Sequence, residues 1–445
     1  MKHSPESPAV ICGEDAADLQ SQAVAKAAAR LIPFLLLLYV LAFLDRANVG
    51  FAKQALQRDT GLTEAAYALG AGLFFVGYAV FEVPSNLMLH RFGARLWLSR
   101  IMVTWGLVSA AMAWARTDTI FYTLRFLLGV AEAGFFPGVI VYLTYWFPSA
   151  VRGRMLGLFY FGAPIALTLG GPLSGLLLEL DDVLGLTGWQ WMFLVEGLAA
   201  SAVGIWAFFY LNNRPADARW LSAPERQALE AALAADVRQQ DPPASHSLLR
   251  ALTQPRLLHL GLIYALIQMS VYGVTFYLPS QVARLLGRDT GLLVGLVSAV
   301  PPLCALFGAY YIPRLSRGPE RRRWVGGVGL ALAGVAIALS ASNSPAVALL
   351  ALCVAWAGFI GVQPVFWTVP TDELRGVAAA GGIALINSCG AVGGFLAPNL
   401  KTWTEQALAS ASAGYALLAL TTLVGALLFG LLPRTRPRSV RPNTP

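Results

Sequence analysis

Charge is what this chain has least of: 13% of its 445 residues are Asp, Glu, Lys or Arg, against 57% hydrophobic. With a mean hydropathy of +0.61, that balance excludes a soluble globular fold, a disordered chain and a nucleic-acid-binding protein, all of which need more polar surface. Histidine is as scarce. His3, His90, His246 and His259 all avoid the middles of the apolar runs, so no metal cluster, haem pair or nucleophile motif is suggested and an enzyme is not expected. Cys12, Cys304, Cys353 and Cys389 show no CxxC spacing, which implies neither a disulfide framework nor a metal site. No cofactor is called for. The first 25 residues are polar and lack the three-part pattern of a signal peptide, so they read as a cytoplasmic tail.

Apolar sequence is abundant, in runs near the 20 residues that cross a hydrocarbon core of about 30 Å. The runs fall at 30–52, 66–90, 96–116, 119–147, 152–180, 189–212, 256–284, 291–314, 324–341, 345–371, 375–402 and 413–433. Each must be a helix that pairs its own backbone groups. The expected architecture is an all-α membrane protein of twelve transmembrane helices: a tail over 1–29, a six-helix bundle over 30–212, a linker over 213–255, a second bundle over 256–433 and a basic tail over 434–445. Of the 32 Lys and Arg, 24 fall on the side of the N-terminus. Lys53, Arg58, Arg116, Arg284, Arg288 and Lys401 fall on the other, and Arg46 and Arg125 lie inside runs. This asymmetry puts both termini in the cytoplasm and explains the formal +8 without an acidic partner.

In the linker, Ser222 and Glu225 have capping-box spacing, and Leu229, Leu233 and Val237 follow at helical intervals. They predict an amphipathic helix on the cytoplasmic membrane face. An internal repeat is visible at an offset of 223: Arg91 maps onto Arg314, Arg152-Gly153 onto Arg375-Gly376, and Gly170-Gly171 onto Gly393-Gly394. Two related bundles that rock about a central site are therefore expected.

An ionised side chain at mid-span costs roughly 2.5–3.5 kcal/mol even on the lenient insertion scale, so it needs a partner or a wet cavity. Asp45 and Arg46 lie in the first run, Arg125 and Glu132 in the fourth. Arg125 and Glu132 share a helix face about 10 Å apart along the axis, too far to pair directly. In one reading, Arg46 and Arg125 receive an anionic substrate, because a guanidinium fork fits a carboxylate. Asp45 and Glu132 then carry protons: desolvation favours their neutral form, a neighbouring arginine the charged form, and substrate arrival tips the balance. In the other reading, the four form structural bridges, Asp45 with Arg125 or Arg46 with Glu132. The repeat mates of Asp45 and Arg46 are Gln268 and Met269, whereas a purely architectural bridge would be expected in both halves.

Asn48 lies one turn from Asp45, and Asn387 lies mid-run in the eleventh helix, suited to substrate hydrogen bonding or to helix packing. Tyr78, Tyr272 and Tyr277 could line the cavity or pack. Glu82 and Glu196 read as gate or packing charges. Gly134-Phe-Phe-Pro-Gly138, Gly170-Gly171-Pro172 and Gly393-Gly394 allow close approach and kinks between membrane helices.

Leu44-Asp45-Arg46-Ala-Asn48-Val-Gly50-Phe-Ala52, Glu82-Val-Pro84-Ser-Asn86, Arg125-Phe-Leu-Leu-Gly129-Val-Ala-Glu132-Ala-Gly134-Phe-Phe-Pro137-Gly138, Gly188-Trp-Gln-Trp191 and Gly382-Ile-Ala-Leu-Ile-Asn387 together resemble the anion:cation symporter family of the major facilitator superfamily. The nearest look is to bacterial tartrate, phthalate and related metabolite:proton symporters. The resemblance covers about residues 30–433. It implies the major facilitator fold with two pseudo-symmetric bundles, a bacterial inner-membrane location, a monomeric carrier surrounded by lipid, and proton-driven uptake of a small organic anion by alternating access. It also implies proton-coupling and substrate-binding roles for Asp45, Arg46 and Glu132, and substrate contact for Asn387. Ala163-Pro164 departs from the glutamine of galactonate-type members and points away from a hexonate. Phe276-Tyr277 and Phe366-Trp367 make an aromatic or short dicarboxylate at least as plausible as a polyol acid. An exchanger or exporter of the same fold is the alternative, and a non-transporting sensor a third reading.

Overall fold

The computed structural model describes residues 13–239, 254–316, 318–373 and 376–432. Twelve of its helical segments are long and apolar enough to cross a membrane: Ala17–Thr60, Glu64–Phe92, Ala94–Trp114, Asp118–Trp146, Ser149–Leu178, Gly188–Tyr210, Pro255–Thr275, Leu292–Leu315, Glu320–Leu339, Pro345–Pro370, Gly382–Ala407 and Ala411–Gly430. Ordinal span numbers below follow this order. Each span buries one side among its neighbours and leaves large apolar groups such as Phe307, Leu350, Leu420 and Leu427 exposed on the other, a surface suited to hydrocarbon.

The twofold repeat of six spans is a repeat of packing. Span 3 packs on span 6, span 2 on span 4, and span 1 on spans 5 and 6. In the second half span 9 packs on span 12, span 8 on span 10, and span 7 on spans 11 and 12. These are two pseudo-symmetric six-helix bundles, which meet along two seams, span 2 against span 11 and span 5 against span 8. The repeated glycine pairs occupy matching contacts. Gly170 faces Leu44 of span 1 and Gly393 faces Ala265 of span 7, each within its own bundle. Gly171 and Gly394 instead face the opposite bundle, at Gly295 and Phe75.

In the second seam the backbones themselves touch. A Cβ on Gly171 would stand 2.4 Å from the carbonyl oxygen of Gly295, and one on Gly295 would stand 2.1 Å from that of Gly171. Gly175 and Gly291 repeat the contact one turn away, with 2.6 Å left for a Cβ. This is small-residue packing of the kind that lets membrane helices approach closely.

Four of the departures from the expected spans have local causes. The helix of span 1 begins at Gly13, so the described part of the 1–29 tail is helical. Its Ala23, Ala27 and Leu31 are wholly buried at four-residue spacing, one strip of a helix. The linker helix, Ala223–Gln239, covers that strip, and Lys26 pairs with Glu225 at 2.5 Å. The expected capping box is formed: Ser222 N–H donates to Glu225 Oε2 (2.9 Å) and Glu225 N–H to Ser222 Oγ (3.4 Å). Leu229 is fully buried and Leu233 packs against the core of the first bundle, so protein covers the apolar face that was expected to lie on the membrane. Asp236 then caps span 5 by accepting from Ser149 Oγ at 2.8 Å. Residues 240–253, the basic tail over 434–445, Arg375 and the side chain of Val237 lie outside the described part.

The remaining departures are breaks. Span 4 divides into Asp118–Glu132 and Phe135–Trp146. Gly134 between them has φ +83, and a Cβ there would also meet Ser85 Oγ at 2.4 Å, so glycine is required twice over. Span 7 ends at Thr275 and a separate helix, Leu278–Leu286, follows where one run to 284 was expected. Span 8 is interrupted at Ala299, just before Pro301-Pro302, whose missing N–H groups free the preceding carbonyls.

Candidate functional site

Between the bundles a cavity of about 610 Å³ opens at the end of the molecule that carries Arg154 and Arg314. Tyr39, Phe43, Arg46 and Ala47 of span 1 line it together, at spacings that mark one helix face. Gln268 and Tyr272 of span 7 stand across from them. A recess of about 70 Å³ continues inward and adds Tyr78, Glu132 and Asn387. The far end is shut by the glycine seam and by Tyr67, whose hydroxyl donates to the carbonyl oxygens of Phe276 (3.2 Å) and Val49 (3.3 Å).

At the wall of the recess Arg46 forms an ion pair with Glu132. Its other terminal nitrogen donates to Tyr272 Oη at 2.8 Å, and its guanidinium lies 5.0, 5.1 and 5.5 Å from the rings of Phe43, Phe74 and Tyr78. An acid, a base and a phenol from both bundles thus meet at one point. Glu132 closes the first helical piece of span 4, so the break at Gly134 sets where its carboxylate ends up. Of the two bridges considered from sequence, Arg46 with Glu132 is formed and Asp45 with Arg125 is not.

Asp45 points the other way. Adjacent helical residues differ by about 100°, and this rotation turns its carboxylate from the cleft into span 3. There Trp105 Nε1 donates to Oδ2 (2.6 Å) and Ser109 Oγ to Oδ1 (2.7 Å). Asn48 Nδ2 adds a weak 3.4 Å contact. Both residues are buried and lie behind the cleft wall. Glu196 of span 6, which accepts from Ser174 Oγ at 2.8 Å, is buried in the same layer.

Arg125 is wholly buried and stands outside the cleft wall in this state. Its Nε and Nη2 reach the carbonyl oxygens of Gly70 and Ala71 at 3.4 and 3.3 Å, and Nη1 has no partner. Phe74 lies between the two arginines, 5.2 Å from Arg125 and 5.1 Å from Arg46. Asn387 donates to Glu82 Oε1 at 2.7 Å, a contact across the seam of spans 2 and 11.

Tyr277, expected in the cavity, stands in the closed far end. Its ring lies between Lys53 of span 1 and Lys401 of span 11, at 4.7 and 3.8 Å. Five residues of helix already turn it about 140° from Tyr272, and the break after Thr275 falls between them. Of the aromatic pairs read from sequence, Phe276 lines the cleft, while Phe366 is buried against Tyr264 at 5.2 Å. Ala163 and Pro164 do line it. Of the three tyrosines named from sequence, Tyr78 and Tyr272 line the cavity or its recess, and sequence reasoning left Tyr39, Gln268 and Gln363 unnamed. Signals existed for two of these: Tyr39 precedes Arg46 by two helical turns, and Gln268 is the repeat mate of Asp45. Among the described residues no group of three or more His, Cys, Asp or Glu could hold a metal ion.

Two bundles related by an internal repeat, with a cleft between them open at one end and sealed at the other, define a multi-pass membrane carrier. The chain belongs to the Major Facilitator Superfamily, whose family model matches residues 35–398. It is 51% identical over 405 residues to the inner membrane transport protein RhmT of Escherichia coli (strain K12), covering 91% of this chain and 94% of that one. It is 41% identical over 429 residues to an Agrobacterium vitis protein named "Putative tartrate transporter", covering 96% and 95%. The fold also matches a structure of the xylose transporter XylE from E. coli in a partially occluded inward open conformation, with TM-score 0.70, 16% identity and coverage of 93% and 100%.

Proposed function

We propose that the protein imports a small organic anion together with protons across the bacterial inner membrane, by alternating access, with both termini in the cytoplasm. The observation that carries this reading is the Arg46–Glu132 ion pair in the recess of the cleft. Arg46 is the one arginine of the recess, and a substrate carboxylate that takes its fork displaces Glu132. The released carboxylate, in a low-dielectric recess, then takes a proton from water. Anion and proton loading are thereby linked through one guanidinium. Asp45, held by donors alone, is the second proton site of this scheme.

A cavity of about 610 Å³ suits a single small acid. Tyr39, Phe43, Phe276 and Pro164 give it apolar walls, which favours an aromatic or short carboxylate, such as a phthalate- or tartrate-type acid, over a hexonate. The Lys and Arg asymmetry makes the open end cytoplasmic, so the state described is the one that releases substrate inward. Tyr78, Tyr272 and Asn387 are the neighbouring polar groups that orient the bound acid. Asn48 supports Asp45, Tyr277 belongs to the outer gate, and Arg125 acts from behind Phe74.

The test is uptake into proteoliposomes of tartrate, phthalate, a hydroxyphenylacetate and a hexonate, with and without an inward proton gradient. Gradient-dependent accumulation of one of the first three is expected. Exchange that persists without a gradient would replace symport by antiport, and silence across the panel would sink the organic-anion reading.

A further inference from the structure

A second basic cavity, of about 720 Å³, lies between the first bundle and the linker, at the end where the substrate cleft opens. Arg30 of span 1, Arg95 of span 3, Arg219 of the loop after span 6 and Arg226 of the linker helix converge on it, with Asp217 as the one acid among the described residues that line it. Among the described residues none of these four arginines takes part in an ion pair. Arg30 is stacked on Tyr210 at 4.5 Å and on Trp220 at 5.3 Å, and its Nε is buried without a partner. Arg95 uses Nε on the carbonyl oxygen of Phe208, which leaves its terminal nitrogens for another acceptor. The backbone N–H of Arg214 already engages Asp217 Oδ2, at 3.2 Å.

The frame around these arginines is built and held. Asn213 Oδ1 accepts from Arg95 N–H at 2.9 Å, Trp220 Nε1 donates to Asn212 Oδ1 at 3.1 Å, and Tyr210 Oη donates to Arg30 O at 3.1 Å. The rim is apolar: Phe209 is 74% exposed at the last turn of span 6. Four guanidinium groups therefore line a hollow at the depth where the candidate span Gly188–Tyr210 ends, beside the exposed ring of Phe209. Basic pockets at that depth recognise phosphate headgroups, and guanidinium forks match phosphate oxygens.

We propose that this hollow binds the phosphodiester headgroup of an anionic phospholipid and thereby ties the linker helix, through Arg219 and Arg226, to spans 1, 3 and 6. The hollow is separate from the substrate cleft and shares no residue with it. Its volume exceeds what a single inorganic phosphate fills, and its open side leads to Phe209, where an acyl chain would run. The shared chemistry is the phosphate group, and the source is distinguished by experiment.

The full-length protein in mild detergent is titrated with dioctanoyl phosphatidylglycerol, dioctanoyl phosphatidylethanolamine or inorganic phosphate while thermal unfolding is followed. Phosphatidylglycerol should raise the midpoint saturably and phosphatidylethanolamine should not. In Arg219→Gln/Arg226→Gln the half-saturating concentration should rise on the order of thirtyfold. Arg91→Gln, which removes a charge from the same end but outside the hollow, should leave the titration as it was. Equal weakening by Arg91→Gln, or an unchanged titration in the double variant, overturns the proposal. An equal saturable response to inorganic phosphate supports the phosphate site and overturns the lipid as its source.

Discussion

Arg46 of the first bundle donates a 2.8 Å hydrogen bond to the hydroxyl of Tyr272 of the second. The charged centre of the site is thus tied to the opposite bundle. A hydrogen bond to a charged group contributes about 1.5–3 kcal/mol. Tyr272→Phe should shift the balance of the two facings by tenfold or more away from the state described. The measurement is labelling of Leu158→Cys, a cleft position, by a thiol reagent from the basic end, with the four native cysteines replaced. Slower labelling is expected, and an unchanged rate would show that the bond does not bias the facing.

Glu132→Gln keeps the shape of the recess and removes its ionisable group. Accumulation driven by a proton gradient should disappear while exchange of labelled for unlabelled substrate continues. Arg46→Ala should abolish binding itself, measured by calorimetry. Equal loss of accumulation and exchange in Glu132→Gln would sink its coupling role, and unchanged affinity in Arg46→Ala would make that residue structural.

Arg125 is a buried cation held by carbonyl groups and a ring, with one nitrogen unpartnered. Such a group is costly, and a well-packed apolar replacement of similar volume is commonly neutral or stabilising. Arg125→Met should therefore melt no lower than the parent protein and yet lose uptake. A lower melting temperature with normal uptake would assign Arg125 to packing alone.

The glycine seam gives a steric test. A methyl group on Gly171 would stand 2.4 Å from the carbonyl oxygen of Gly295, a contact that cannot be absorbed by a rotamer change. Gly171→Ala should hinder closure of the far end, slow transport, and leave substrate binding from that side intact. Transport at the parental rate would show that the seam has slack.

At the linker, the hydrogen bond from Lys26 holds the Glu225 carboxyl below its ordinary value. A depressed carboxyl contributes stability that is present above its unfolded value and lost as pH falls through the lowered one. Protection of Arg226 from trypsin should therefore hold at neutral pH. Glu225→Gln should reduce it there, and equal protection in both proteins would show that apolar packing at Leu229 holds the helix unaided.

Spans, repeat and linker helix were legible because each rests on a local signal: run length, offset and cap spacing; the cost of a mid-span charge marked Arg46 and Glu132 but left their pairing one of two alternatives. Direction within a span was harder. Asp45 and Arg46 differ by one residue, and only the position of span 3 decides which of them meets the cleft. Tyr277 was misplaced because it stands five residues, about 140° of helix, from Tyr272, and so meets Lys53 and Lys401 at the far end. The cleft residues of span 7 carry no charge, so Gln268 and Tyr272 stood out less than the acids and bases opposite.

The contact of Gly171 with Gly295 also bears on which sequence changes this carrier tolerates. Hydropathy and net charge, the two quantities that specify its topology, are blind to a single added methyl. Along that seam the tolerance is set by volume alone. Exchanges that every composition-based score would rate as silent, glycine to alanine among them, are the ones expected to leave a correctly inserted protein that turns over slowly.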